Sequence, residues 1–308
     1  MKVSTSYLFD QATDRMSMIQ NRLAKTQSQM AETKQVLNPS DAPDQAAAIQ
    51  RLQGEIDRQQ NNSSALKIAQ SRYKAEEVAL SSANDILTRL KELSVQAANG
   101  TVGSIDRSAI AVEMSSLKDQ LLSLGNSRDD NGNYLFSGTR VRTPAFSQDE
   151  NGKVSYQGDQ TKTRIPAGVD RTVQYTRSGT DVFSRVVRTD AQGNKSSIGF
   201  FDSLDAMIQA VQSGDQAGSA QAISDLSQMH DNITLTQAQS GSDQQVVQSQ
   251  LDILDQTSIR LKSTLSEVQD LDYTKAVTQM NKEMMALQAA MGSFTKISSL
   301  SLFDYIKN

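Results

Sequence analysis

Apolar residues recur every three or four positions near both ends of the chain, in two stretches separated by most of the sequence. The N-terminal seam consists of Phe9, Ala12, Met16, Ile19, Leu23, Thr26, Met30, Thr33 and Leu37. The C-terminal seam consists of Tyr273, Val277, Met280, Met284, Leu287, Met291 and Phe294. Because a repeat of about 3.5 residues is slightly shorter than a helical turn, a helix that keeps such a stripe on a partner must supercoil with it. The pattern therefore predicts a helix at each end that is completed by another helix.

Long helices are also predicted between the seams. The first helix should span about 6–36 and end before Pro39 and Pro43, because proline breaks a helix. Helical periodicity resumes over 44–99, where the polar middle lowers helicity without forbidding it, and again over 104–125. These segments predict a body of antiparallel helices.

The apolar period changes from helical to alternating after Asn126. Short strand patterns occur at 134–136, 145–147, 154–156, 173–175, 182–183 and 186–187. The dipeptide Asn151-Gly152 between two of these runs is a strong hairpin signal. Helical patterns return at 201–211, 217–239 and 247–268, and their phase slips near Asp270. The chain thus runs out along helices, makes a β excursion and returns along helices, so the two seams should meet.

This order predicts a mainly α fold with a small β insert, in which a terminal coiled coil adjoins a helical-bundle body and an outward β domain. The predicted domains are 1–42 with 271–308, 43–136 with 200–270, and the insert 137–199. Only 37% of the residues are hydrophobic, 5% are aromatic and none is tryptophan, which argues against one large globular core.

Charge and targeting patterns narrow the choice of partners. The net charge of -4 comes from interleaved acidic and basic residues, which disfavours nucleic acid and anionic membranes. The absence of cysteine excludes disulfides and thiolate chemistry. The N-terminus has no apolar run typical of a cleavable signal, and polar residues in 284–303 favour a packing helix over a membrane span.

Candidate chemistry is sparse. The single histidine, His230, has no second histidine or cysteine with which to form a site, so we interpret it as a surface residue. The loops that begin at Ser127 and Ser147 resemble the start of a calcium loop, but they lack its leading Asp and its bidentate Glu. We therefore predict no catalytic residue, no metal and no cofactor. The methionines of the C-terminal seam could form an adaptable groove, although their helical spacing favours a coiled coil.

Several motifs resemble the flagellin superfamily, beginning with LSVQAANGT at 93–101. Others are similar to the hook-associated proteins of type 3, which form the hook-filament junction. These are LNPSDAPDQAAA (37–48), GNYLFSG (132–138), VSYQGD (154–159), LSEVQDLDYTKA (265–276) and ISSLSLFDYI (297–306). The resemblance implies an extracellular, non-enzymatic flagellar subunit that is exported unfolded by the type III apparatus. It also implies a ring of identical subunits next to another hook-associated protein and flagellin, and an export chaperone that binds the C-terminal region.

Two alternatives stay open at this point, a flagellin that forms the filament itself and a cytoplasmic helical adaptor or signalling coiled coil. In the leading interpretation the terminal helices carry the assembly interface. Its expected residues are Phe9, Met16, Ile19, Leu23, Met30, Leu37, Val277, Met280, Met284, Leu287, Met291 and Phe294.

Overall fold

A computed structural model of the chain describes residues 2–99, 102–167, 172–189 and 194–306, with side chains at Tyr7 and, within these ranges, from Phe9 to Lys296. The helices are α1 (Lys2–Glu32), α2 (Pro43–Ala97), α3 (Ser104–Gly125), α4 (Gly179–Val182), α5 (Phe200–Ser213), α6 (Gln216–Gln269) and α7 (Tyr273–Ile306).

Short strands form three antiparallel pairs between α3 and α5. They are β1 (Phe146–Gln148) with β2 (Val154–Tyr156), β3 (Arg164–Pro166) with β4 (Thr172–Gln174), and β5 (Val186–Thr189) with β6 (Lys195–Ile198). The Asn151-Gly152 hairpin is confirmed: Gly152 has a φ of 81°, and the Asp149 carboxylate accepts hydrogen bonds from two backbone N–H groups of the turn. The mainly α fold with a small β part is therefore confirmed.

The chain forms two compact units. The terminal unit contains Met1–Asn61 and Asp255–Asn308, and the central unit contains Asn62–Leu254. Helices α2 and α6 contribute residues to both units. The three-domain division predicted from the sequence stays a prediction.

An aromatic cluster forms part of the core of the central unit. Phe146 and Phe183 meet edge to face at 5.4 Å between ring centroids, and Phe200 and Phe201 contact the same group of rings. Edge-to-face contacts suit the negative faces and positive edges of aromatic rings. The β hairpins thus gain a hydrophobic anchor against α5 that their own few residues could not supply.

A buried ionic cluster also lies in the central unit. Arg177 donates to Glu76 at 2.9 Å and to Asp243 at 3.0 Å, while Ser240 donates to Glu76 at 3.2 Å. Arg72 lies 3.8 Å from the same carboxylate. Burial raises the pKa of Glu76, and the two guanidinium groups oppose this effect. The cluster ties the segment that follows β4 to α2 and α6.

Several local predictions differ from the structure. Residues 134–136 were expected to be a strand, but Tyr134 forms an isolated bridge with Arg128, and the Tyr134 and Leu135 carbonyls accept from the Arg72 side chain instead of from a neighbouring strand. Residues 182–183 were expected to be extended, but Val182 ends the short helix α4, whose start is capped by the Ser178 hydroxyl accepting from the Thr180 N–H. The separate helices expected at 217–239 and 247–268 are the single helix α6. The Ser240 hydroxyl donates to Glu76 on α2, and the one glycine that follows, Gly241, lowers helix stability too little to break the helix.

Candidate assembly interface

Helices α1 and α7 pair along their length in the terminal unit. At one end the rings of Phe9 and Phe294 lie 4.8 Å apart, and at the other the Tyr273 hydroxyl donates to the Met30 carbonyl at 2.6 Å. The two helices are therefore antiparallel. This observation confirms the predicted pairing of the N- and C-terminal helices.

Backbone hydrogen bonds close the base of the helix pair. The Gln35 N–H donates to the Gln269 carbonyl at 2.8 Å, and the Leu271 N–H donates to the Thr33 carbonyl at 3.0 Å. Thr33 has a φ of 57°, which is unusual for a β-branched residue. The left-handed turn at Thr33 ends α1 and directs the Thr33 carbonyl toward the segment between α6 and α7. The C-terminal end of α1 is thereby fixed next to the start of α7.

The predicted residues of the N-terminal seam lie mostly on the side of α1 that faces α7. Those that are half-buried within the helix are Met16, Ile19, Leu23 and Met30. Phe9 remains 43% exposed despite its contact with Phe294, and Leu37 is half-buried beyond the end of α1. Thr26, which lies between Ile19 and Met30 in the sequence, is buried.

The predicted residues of the C-terminal seam separate into two groups. Met280, Leu287 and Phe294 are half-buried. Val277, Met284 and Met291, which we call the exposed row, are 38%, 40% and 44% exposed. The positions that complete the buried side are instead Ala276, Glu283 and Ala290. The paired row of α7 is thus Ala276, Met280, Glu283, Leu287, Ala290 and Phe294.

The sequence pattern missed half of this paired row because it favours large apolar side chains. Ala276 and Ala290 are small, and Glu283 carries a charge, yet the next half-buried position of the row follows each of them four residues later. The clue available in the sequence was Thr26, a polar residue at a seam position, which calls for a polar partner in the facing helix.

The buried polar contact of the interface joins Thr26 and Glu283. The Thr26 hydroxyl donates to one carboxylate oxygen at 3.1 Å, and the Gln279 side chain donates to the other at 2.7 Å. Near the base of the pair, Lys25 forms an ion pair with Asp41 at 2.9 Å and lowers the pKa of that carboxyl. The N–H of Lys275 lowers the pKa of Asp272 at the start of α7.

The described residues offer little catalytic or metal-binding chemistry. Within the described ranges no group of three His, Cys, Asp or Glu side chains could hold a metal ion. His230 lies exposed on α6. No helix in the part of the chain described here has an apolar stretch long enough to cross a membrane.

Two family models match this chain, one in each half of the sequence. Residues 3–141 match the model of the bacterial flagellin N-terminal helical region, and residues 223–306 match that of the C-terminal helical region. The chain belongs to the flagellin superfamily. The flagellar hook-associated protein 3 of Escherichia coli K12 is 27% identical over the full length of both chains. The protein of the same name from Salmonella typhimurium is 26% identical over 99% of each.

These full-length relatives confirm the predicted resemblance to the type 3 hook-associated branch of the flagellin superfamily. A crystal structure of Xanthomonas campestris FlgL shares the fold, with a TM-score of 0.62 at 22% identity, over 71% of this chain and 99% of that one. A flagellin of Clostridium tyrobutyricum matches less extensively, at 26% identity over 46% of this chain and 37% of its own length. The relatives are structural flagellar proteins rather than enzymes, and they indicate a location in the flagellum.

Proposed function

We propose that this chain is the structural subunit that joins hook to filament in the bacterial flagellum, and that it assembles through its terminal helices. The observation that carries the proposal is the exposed row of α7, which repeats every seven residues on a helix whose adjacent face is already paired. Such a row fits a further helix at coiled-coil spacing. The full-length similarity to hook-associated relatives supports the position at the junction.

The terminal helices of a neighbouring copy are the proposed occupant of the exposed row. The row borders the α1–α7 contact through Met280 and Leu287, so a third helix would extend an existing core rather than begin a new one. Burial of one Val or Met side chain contributes about 1.5–3 kcal/mol when complete. Because the three side chains are partly covered already, we expect about 3 kcal/mol per subunit from the row. Closed symmetry would repeat this contact around a ring of identical subunits.

Family membership supports the remaining partners of the proposal. The ring lies between another hook-associated protein and flagellin, outside the cell. The chain reaches this place through the type III export apparatus as an unfolded polypeptide. An export chaperone binds the C-terminal region before export. The exposed apolar row of α7 supports this last point, because it would need protection before assembly.

Deletion of the gene tests the junction role against the alternatives. Cells that lack the chain should keep their hooks, lose their filaments and release flagellin subunits into the medium. Electron microscopy shows hooks and filaments, and an antibody against flagellin detects the released subunits in the medium. Gold-labelled antibody should find the chain at the hook tip of the parent strain.

Each alternative predicts a different result in the same experiment. If the chain were the filament subunit itself, the medium of the deletion strain would contain no other flagellin, and gold would label the whole filament. If it were a cytoplasmic adaptor, the chain would be absent from purified flagella. Either result would overturn the proposed function.

A further inference from the structure

Helix α7 faces α1 with the less apolar of two available rows. The exposed row of Val277, Met284 and Met291 stands one residue after Ala276, Glu283 and Ala290 of the paired row. At 3.6 residues per turn, one residue corresponds to a rotation of about 100°. A rotation of α7 by about half of this angle would keep Met280, Leu287 and Phe294 at the α1 contact. It would exchange two alanines and a carboxylate for a valine and two methionines. Hydrophobic burial alone therefore favours a rotation that the structure does not adopt.

The buried polar contact explains the observed rotation. Glu283 is only 7% exposed, and the Thr26 hydroxyl and the Gln279 amide each donate to one of its oxygens. Turning α7 would separate Thr26 from its acceptor and break the hydrogen bond that joins the two polar residues of the seam. A single buried polar residue is known to fix register and partner choice in coiled coils at a cost in stability. Ala276 and Ala290 add to the effect, because small side chains let the two helices approach closely.

We propose that Thr26 and Glu283 select the rotation of α7 against α1 and so keep the exposed row free for a second copy of this chain. This inference rests on the proposed function, since it names the residues that make the assembly surface available. A helix pair chosen only for its own stability would bury the methionines. The polar contact makes the pair weaker by itself and competent to take up a neighbour.

Engineered disulfides can measure the rotation, because the chain contains no cysteine. Ala12 lies about one turn from Phe9, and Ala290 about one turn from Phe294, so these two positions should face each other across the antiparallel pair. The variant Ala12→Cys, Ala290→Cys should therefore form a disulfide at least about tenfold faster than Ala12→Cys, Met291→Cys. Both are measured on the purified full-length chain at low concentration.

The same two pairs are then placed in a Thr26→Val, Glu283→Leu background. We expect the preference for position 290 over 291 to fall at least about tenfold, because the seam no longer contains the polar contact. Glu283→Gln is the matched control: its amide oxygen still accepts from Thr26, so the preference should persist. An unchanged preference in the apolar background would overturn the proposal.

Assembly in cells supplies the second readout. The Thr26→Val, Glu283→Leu chain without cysteines should fold, as judged by circular dichroism, but should support filaments on fewer than about a tenth of the hooks. If cells that express a chain with an altered rotation of α7 had normal filaments, the role of the exposed row would be refuted. If the unaltered chain proved unnecessary for filament attachment, the proposed function would fail while the cross-linking result stood.

Discussion

Gly138 and Gly132 both have left-handed backbone conformations, with φ values of 66° and 78°, but their surroundings differ. A Cβ atom at Gly138 would lie 2.3 Å from the Asp159 carbonyl oxygen, whereas one at Gly132 would meet nothing within 4 Å. We expect Gly132→Ala to lower the free energy of unfolding by about 1–2 kcal/mol, from backbone strain alone. Gly138→Ala should cost about 1–3 kcal/mol more, because the turn must also move away from Asp159.

Urea unfolding followed by circular dichroism measures both glycine variants. Equal losses for the two would show that the close approach at Gly138 does not constrain the central unit.

Asp159 gives the central unit a pH-dependent element. The side chain and N–H of Thr139 and the N–H of Thr161 donate to its carboxylate, and these bonds lower its pKa from 3.8 to about 2. A carboxyl whose pKa is lower in the folded state stabilises the fold above its unfolded pKa and stops doing so as pH falls through the folded value. The stabilisation should therefore be complete above about pH 3.8 and disappear toward about pH 2.

The variant Asp159→Asn isolates this contribution. Its melting temperature should lie below that of the parent chain at neutral pH, and the difference should close as the pH falls through the window. A difference that stays constant down to about pH 2 would contradict the assignment. Thermal melts monitored by circular dichroism at a series of pH values provide the measurement.

Arg177 and Arg89 each contact two carboxylates, one arginine in the buried cluster and the other on the surface. Arg177 holds Glu76 and Asp243, whereas Arg89 pairs with exposed Glu92 and Glu113. Arg177→Ala should lower the free energy of unfolding by about 3–5 kcal/mol, because buried carboxylates lose their cation. Arg89→Ala should cost less than about 1 kcal/mol. Chemical unfolding measures both variants, and similar losses in the free energy of unfolding would show that the buried position of Arg177 adds nothing.

At the scale of elements, the α1–α7 contact and the exposed row should respond differently to truncation. Phe294→Ala removes a ring that touches Phe9 at 4.8 Å, so it should weaken that end of the pair by about 1–2 kcal/mol. Hydrogen exchange of α1 amides near Phe9 should then become about tenfold faster. Met291→Ala is the matched control on the adjacent turn, and exchange in the monomer should hardly change. Faster exchange with Met291→Ala would show that the row is not free.

Periodicity predicted the long helices because each carries a stripe of apolar residues with few prolines or glycines inside. It predicted the N-terminal seam well, since its buried side is made of large residues such as Met16 and Leu23. It failed on α7, where the buried side includes Ala276 and Glu283 and the large residues partly face outward. Hydrophobicity identifies an apolar helix but not which of two neighbouring rows a given partner covers.

At the scale of the whole molecule, long-range polar contacts were beyond sequence reasoning. Glu76 and Arg177 meet across 101 residues, and no motif in the sequence pairs them. Thr26 and Glu283 meet across 257 residues in the same way. Family motifs supplied what periodicity could not, since they predicted the hook-associated branch that the full-length relatives confirm.

Assembly should depend on the exposed row and not on exposed methionines in general. Met284 belongs to the row, while its neighbour Met285 is more exposed, at 61% against 40%, and lies about 100° away around the helix. Met284→Ser should therefore remove a contact with the neighbouring copy, whereas Met285→Ser removes the same chemistry from a position outside the row. Neither change touches the paired row, so both chains should fold and be exported.

The most direct test counts filaments by electron microscopy on cells in which Met284→Ser or Met285→Ser replaces the parent chain, with the amount of exported chain measured in the same cultures. We expect Met284→Ser to reduce hooks bearing filaments to well below half of the parent level and to release flagellin into the medium, while Met285→Ser leaves filament number unchanged. Normal filaments with Met284→Ser, or an equal loss with both variants, would contradict it.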